Sequence, residues 1–312
     1  MREHGQPPLY YYVLSVIKSG HEPIFRWSSV FFSILGVLAI YRLGLVFFKS
    51  SVYGLSASWL LANSPLHIYY AQEIRMYSLL VLLAVLSVTC FWEYLHHSSG
   101  KKLIFLTLIN LLMISTHTFG NLLVLLELTF LLLIRKKTIK FVEIGVFGFT
   151  ILAFFWAYGR DINLYGGNIT RQYNWEKLIT PVESGTDLWT QVRLIRWLTG
   201  IESGKSALVF YGLFWAAGWL DRQTRRLTFW TAYSYILILI IAQFLLATRI
   251  VHYFSTRHFI FLEPILILVP LLATRVKAPS QRKWLILITW VYFAWVGGNF
   301  LLTHPVHYNN IP

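Results

Sequence analysis

Apolar runs of about 20 residues recur along this 312-residue chain, separated by short polar turns. Each run, coiled as an α-helix, can cross roughly 30 Å of hydrocarbon. In such a medium only structures that satisfy every backbone N–H and C=O internally survive. The pattern therefore predicts an all-α, polytopic helical membrane protein, a single bundle over 1–312. Composition agrees. Mean hydropathy is +0.58, 56% of residues are hydrophobic and 13% are charged, against roughly a quarter charged in soluble domains. The lone cysteine, Cys90, excludes an intramolecular disulfide.

The net charge of +14 could suggest nucleic acid. Here, however, the basic residues punctuate apolar runs, which points instead to membrane topology and lipid phosphates. Membrane lipids are expected partners and nucleic acid is not.

Residues 8–18 are apolar and aromatic but too short to cross. They read as an interfacial helix, with Tyr10, Tyr11 and Tyr12 suited to the headgroup belt. Spans are then expected at 27–48, at 52–72 with a kink at Pro65, and at 76–95. The run 103–134 would measure about 48 Å as one helix, too long for one crossing. Its middle, Thr116-His117-Thr118-Phe119-Gly120-Asn121, reads as a turn, and basic residues flank both ends. A hairpin of two helices puts both basic clusters on one side, as the positive-inside rule prefers. Further spans are expected at 141–158, 207–220, 227–248, 258–273 and 284–302, the penultimate one bent by Pro264 and Pro270. Residues 159–205 form the one long polar loop.

This makes about ten spans, with both termini on the same side. Fifteen basic residues, from Arg42 and Lys49 through to Arg282 and Lys283, then fall at the short loops of one side, which reads as cytoplasmic. Nine of the thirteen acids fall on the other. The polar chemistry is expected on the non-cytoplasmic face.

The stretch Gln72-Glu73-Ile74-Arg75-Met76-Tyr77 joins two apolar runs on that face. Charges between spans often only cap helices and touch headgroups. Ionisable groups at membrane depth are otherwise a functional sign. Glu73 can accept a proton from a nucleophile or hold a divalent cation, and Arg75 can fork onto a phosphate. His117, in the next outward turn, is either a headgroup-level histidine or part of a site with Glu73, including as a metal ligand. Arg249, His252, Arg257 and His258 cluster within ten residues. They suit an anionic ligand such as a lipid-linked phosphate, or bulk anionic lipid.

Two motifs carry little. Gly200-Ile201-Glu202-Ser203-Gly204-Lys205-Ser206 has three residues between its glycines where a phosphate loop needs four. Asn168-Ile169-Thr170 is a glycosylation tripeptide of a kind that arises by chance.

In order along the chain, Gln6-Pro7-Pro8-Leu9-Tyr10-Tyr11, Phe25-Arg26-Trp27, Ser64-Pro65, Tyr69-Tyr70-Ala71-Gln72-Glu73-Ile74-Arg75-Met76-Tyr77, Thr116-His117-Thr118-Phe119-Gly120 and Arg257-His258-Phe259 with Glu263-Pro264 resemble the GT-C membrane glycosyltransferases. Within these the chain is similar to the protein O-mannosyltransferase-like branch, glycosyltransferase family 39 or RgtA/B/C/D-like. The resemblance implies sugar transfer from a polyprenyl-phosphate carrier to an acceptor outside a prokaryotic plasma membrane. The anomeric carbon would be inverted and an acidic base would activate the acceptor. It implies catalytic roles for Glu73 and His117, and donor-phosphate or substrate binding by Gln72, Arg75, Tyr77, Arg257 and His258. No cofactor follows with certainty; a divalent cation is compatible.

One departure from the family pattern stands out. The family carries an Asp-Glu pair in an outer loop, after an additional span, about 25 residues ahead of the Pro-Pro segment. Here Glu3 is the sole acid ahead of Pro7. The expectation is a chain lacking the first span and its principal acid, either a shortened form of a longer protein or an inactive relative acting as an assembly partner. A transporter or flippase of a lipid-linked substrate is the competing class. It would call for internal repeats or mid-membrane charges. Glu127 is the one acid deep in a span.

Overall fold

The computed structural model describes residues 7–17, 22–135, 140–153, 195, 196, 198, 199, 204–247, 256–275 and 279–303. The side chains at 22, 204, 246, 256, 257, 279 and 280 are outside that description. Every regular element among these residues is helical. In chain order they are α1 (Leu9–Val16), α2 (Glu22–Phe48), α3 (Ser51–Ala62), α4 (Pro65–Ala71), α5 (Tyr77–His96), α6 (Gly100–Ile114), α7 (Gly120–Ile134), α8 (Phe141–Ala153), α9 (Gly204–Leu220) and α10 (Arg225–Ala247). A 3-10 turn (Thr256–Leu262) follows, then α11 (Glu263–Leu266), α12 (Val269–Thr274) and α13 (Pro279–Thr303).

Four of these helices contain segments long and apolar enough to cross a membrane: Pro23–Phe48, Tyr77–His96, Arg225–Leu245 and Gln281–Thr303. Their burial separates their roles. Helix α5 is 83% buried over its most apolar window, whereas α2 and α13 are 28% buried over theirs. An apolar helix hidden on all sides belongs at the centre of a bundle. Helix α5 packs against α2, α4, α6, α7, α11 and the 3-10 turn. The outer helices expose Trp27, Phe31, Ile34 and Leu38 on α2, and Trp284, Ile288, Val291 and Trp295 on α13. These form apolar faces of the kind that lipid covers.

Helix α2 ends at Phe48 and is followed by Lys49, the single described non-glycine residue with positive φ, 52°. The left-handed residue reverses the chain after a helix C-terminus, and α3 returns along α2. The two approach closely because small residues face each other. A Cβ on Gly44 would lie 2.7 Å from the Tyr53 carbonyl oxygen, and one on Gly54 would lie 2.8 Å from that of Tyr41. Ser58 Oγ donates across the same seam to the Val37 carbonyl at 2.8 Å. Small residues are what allow apolar helices to come backbone to backbone. Gly54→Leu is therefore expected to lower stability by about 1–3 kcal/mol, the range for overpacking, read as an earlier thermal transition of the purified protein in detergent.

The expected single span over 52–72 is two helices. Pro65 lacks an N–H and disfavours helical conformation at the residue before it. Ser64 is accordingly extended (φ −72°, ψ 123°), and α3 stops at Ala62. Helix α13 fills the break: a Cβ on Gly297 would stand 2.7 Å from the Asn63 carbonyl oxygen. The Trp59 and Trp290 rings stack nearby at 5.7 Å. Pro264 and Pro270 likewise divide rather than bend their segment, because each sits in the first turn of a new short helix. The divided segment is nonetheless among the most buried parts of the chain from Phe259 to Leu272.

The hairpin expected within 103–134 is present as α6 and α7, joined by residues 115–119. At 15 residues each, these helices measure about 22 Å. A short helix forms where one was expected at 8–18, as α1, but Tyr10, assigned by sequence to the headgroup belt, turns inward. It is fully buried, and its hydroxyl meets Ser29 Oγ at 2.8 Å. Tyr12, by contrast, is exposed. Periodicity alone cannot tell which face of so short a helix turns inward.

The two ends of the bundle differ in chemistry. At one end α2 meets α3, and α5 meets α6. There Arg42 grips Glu93 through Nε and Nη2 at 3.1 and 2.9 Å, so Arg42 is paired rather than simply reaching for the membrane surface. Arg226 lies over the Trp92 ring. Arg275 lies over the Phe48 and Tyr53 rings, donates to the Phe48 carbonyl, and meets Gln223 at 2.9 Å. Arg135 joins Glu143 at 2.7 Å. The basic loop residues grouped by sequence thus gather, where described, at one end. The turns 72–76 and 115–119 lie at the other.

Candidate functional site

Helix α4 ends at Ala71 and α5 begins at Tyr77, so the turn that carries Glu73 and Arg75 has five residues, 72–76, in which to reverse. It is braced by α2 from behind. Arg26 Nη1 donates to the Gln72 carbonyl at 2.7 Å, and Ser29 Oγ to the Arg75 carbonyl at 3.5 Å. Within the turn the Arg75 N–H reaches the Glu73 carbonyl at 2.8 Å. Ser78 Oγ donates back to the Tyr70 carbonyl at 2.9 Å. With backbone carbonyls held in this way, the side chains project from a fixed frame. Glu73 Oε2 and Arg75 Nε lie 3.8 Å apart and keep 31% and 38% of their side-chain surface accessible. That is an ion pair at its outer limit, worth little to stability when exposed and within reach of a ligand.

Rings from four elements meet beside this turn. Tyr70 and Tyr77 have centroids 4.5 Å apart, and Tyr77 lies 5.7 Å from His117. His117 is 6.3 Å from His258, and Phe119 is 4.8 Å from His258. His117 is buried, and its Nδ1 accepts the Phe119 N–H at 3.1 Å. In the neutral ring that leaves the hydrogen on Nε2. Of the residues predicted for the site, Gln72, Glu73, Arg75, Tyr77, His117 and His258 come to one end of the bundle, and Tyr77, His117 and His258 form a continuous ring cluster. The α1 helix closes one side: the Leu9 N–H donates to the Ser115 carbonyl at 3.0 Å.

Arg257 lies in the 3-10 turn beside His258, with its side chain outside the described residues. Arg249, His252, the tripeptide at Asn168 and nearly all of the predicted loop 159–205 also lie outside them. Glu73 and His117 are the candidate metal donors by sequence. No group of three or more His, Cys, Asp or Glu among the described residues is placed to hold a metal ion.

Sequence reasoning missed the supports underneath. Ser64 Oγ donates to Glu263 Oε1 at 2.5 Å, and Glu263 is completely buried. This bond ties the α3–α4 break to the residue that follows the His258 turn, and so sets one half of the site against the other. His67 Nε2 meets Ser33 Oγ at 2.7 Å, joining α4 to α2. Pro65 was visible as a kink and Pro264 as a bend, each within one expected span. That Ser64 and Glu263 bond to each other, 199 residues apart, was not.

Comparisons with protein-family models, with curated proteins and with solved structures return no match.

Proposed function

We propose that this chain is a GT-C-type membrane glycosyltransferase of about ten crossings. It moves a sugar from a polyprenyl-phosphate carrier to a lipid, glycan or protein acceptor on the non-cytoplasmic face of a prokaryotic plasma membrane. The observation that carries this reading is the accessible Glu73–Arg75 turn, braced by Arg26 and Ser29 beside the Tyr77–His117–His258 rings. Its position at the end away from the basic loops agrees with catalysis on the outer face.

In this reaction an acceptor hydroxyl hydrogen-bonds to Glu73, which orients it and takes its proton as the oxygen attacks the anomeric carbon. The bond from that carbon to the phosphate oxygen breaks on the opposite face, and the configuration inverts. The bonding electron pair leaves with the polyprenyl phosphate. Arg75, with Arg257, neutralises the charge on the departing phosphate, as a guanidinium fork can. Gln72 and Tyr77 contact substrate, and His117 and His258 line the cavity. A divalent cation held by Glu73 and His117 would add Lewis-acid help; no step here depends on it.

Binding can be tested apart from transfer. Polyprenyl monophosphate titrated into the nanodisc-embedded protein should perturb tryptophan fluorescence and saturate. Arg75→Ala should weaken that affinity by about 10–100-fold, the worth of a charged hydrogen bond. Wild-type protein that ignores the lipid phosphate removes the donor class. Unchanged affinity in Arg75→Ala removes the role of Arg75.

A further inference from the structure

Glu127 on α7 is wholly buried, and among the described residues no ion pair reaches it. It closes a ring with one side chain from α5 and one from α6. Ser87 Oγ on α5 stands 2.6 Å from Glu127 Oε1 and 2.5 Å from Asn110 Oδ1 on α6. Asn110 Nδ2 stands 2.9 Å from Glu127 Oε2.

Three contacts need three hydrogens, and counting them fixes the chemistry. The serine hydroxyl supplies one, and it can serve only one of its two oxygen neighbours. The amide nitrogen supplies the hydrogen on its own edge. One edge is then left as two bare oxygens facing each other at hydrogen-bond distance. Turning the Asn110 amide over moves the gap to the edge between its oxygen and Glu127 but does not fill it. A carboxylate has no hydrogen to offer; a carboxylic acid has one. With it the ring closes in one direction: Glu127 O–H to Ser87 Oγ, Ser87 O–H to Asn110 Oδ1, Asn110 N–H to Glu127 Oε2. The oxygens crowd too closely to admit a cation between them.

We infer that Glu127 is a proton-binding site, a neutral carboxylic acid whose proton completes a closed hydrogen-bond ring clasping α5, α6 and α7. A neutral acid with both oxygens engaged avoids the large cost of an unpaired charge in the bundle interior. Further along α5 the ionisable groups are Cys90, Glu93, Tyr94 and His96, and Glu93 is neutralised by Arg42. A ring in which each member both donates and accepts has no open end through which to pass a proton onward. Glu127 is thus a fastener, and not the cycling acid that a proton-coupled transporter would need.

Glutamine is the discriminating replacement, because its amide has the donor and acceptor of the protonated acid in the same places. In nanodiscs at neutral pH, the infrared difference between wild type and Glu127→Gln should contain a carboxylic-acid C=O band belonging to the wild type. Glu127→Gln should keep the wild-type thermal transition, and Glu127→Ala, which opens the ring, should lower it. A carboxylate band in place of the acid band overturns the inference. So does a Glu127→Gln protein that melts as early as Glu127→Ala or does not fold at all. Neither readout involves sugar transfer, so failure here leaves the proposed reaction standing, and the reverse also holds.

Discussion

Glu73→Gln is expected to slow sugar transfer from a polyprenyl-phosphate donor by about 10²–10⁴-fold, the usual contribution of a positioned proton acceptor. The amide keeps the shape of the side chain and can still touch the acceptor, but it cannot take the proton as the oxygen attacks. The turn itself should survive. Its anchors are the Gln72 and Arg75 carbonyls, held by Arg26 and Ser29, and its internal bond runs between backbone atoms. Polyprenyl phosphate affinity should therefore change little, because the phosphate is assigned to Arg75. Single-turnover transfer measured beside lipid-phosphate binding separates the two effects. A variant that transfers at the wild-type rate takes Glu73 out of the chemistry. One that loses rate and binding together makes it a structural member of the turn.

Arg135→Ala should produce the largest loss of stability, about 3–5 kcal/mol, as when one partner of a buried ion pair is removed. Glu143 of α8 has no exposed side-chain surface, and Arg135 only 15%. Arg135 also donates to the Tyr94 and Leu95 carbonyls at 3.2 Å each, and to Ser98 Oγ at 2.6 Å. Those carbonyls belong to the last turn of α5, where backbone acceptors have no partner within the helix. The guanidinium thus caps the central helix and neutralises the acid that begins α8. Glu143 would retain the Tyr94 hydroxyl and the Lys140 N–H but would lose the ion pair it makes among the described residues. Thermal or denaturant unfolding in detergent gives the comparison. The double change Arg135→Met with Glu143→Leu should recover much of the loss, because a buried pair replaced by apolar groups of similar size leaves no stranded charge. If Arg135→Ala melts with the wild type, the pair has no structural weight.

The two predictions concern opposite ends of the bundle, and those ends were unequally legible. The Arg135 end was foreseen only as a group of basic residues near short loops. The sequence offers no cue that Arg42 would find Glu93, because their helices are brought together over a separation of 51 residues, or that Arg135 would turn to Glu143, because that nearby pairing depends on how α8 is placed after α7. At the other end, Glu73, Arg75 and Tyr77 were named from one contiguous stretch. His117 and His258 were added from separate turns, and the ring contacts among Tyr77, His117 and His258 join them. Glu127 was visible as an isolated acid deep in an apolar run. Its partners were not, since Ser87 and Asn110 look like ordinary small polar residues within their helices.

The sequence by itself determined that the chain is helical and apolar, that turns fall at 72–76 and 115–119, and that Pro65, Pro264 and Pro270 disturb their segments. These follow from local physics: helix-length apolar runs, a missing N–H at proline, and the steric demand that proline places on the residue before it. Only the tertiary structure decided that α5 is the buried centre, that Tyr10 faces inward, that the prolines divide helices outright, and that Ser64 meets Glu263. It alone closed the ring around Glu127. Almost every side chain here is apolar, so hydrophobicity says that a helix is buried in something without saying whether lipid or protein covers it. That choice rests on close packing at a few glycines and on hydrogen bonds between a few polar groups, whose meeting depends on how whole helices are placed.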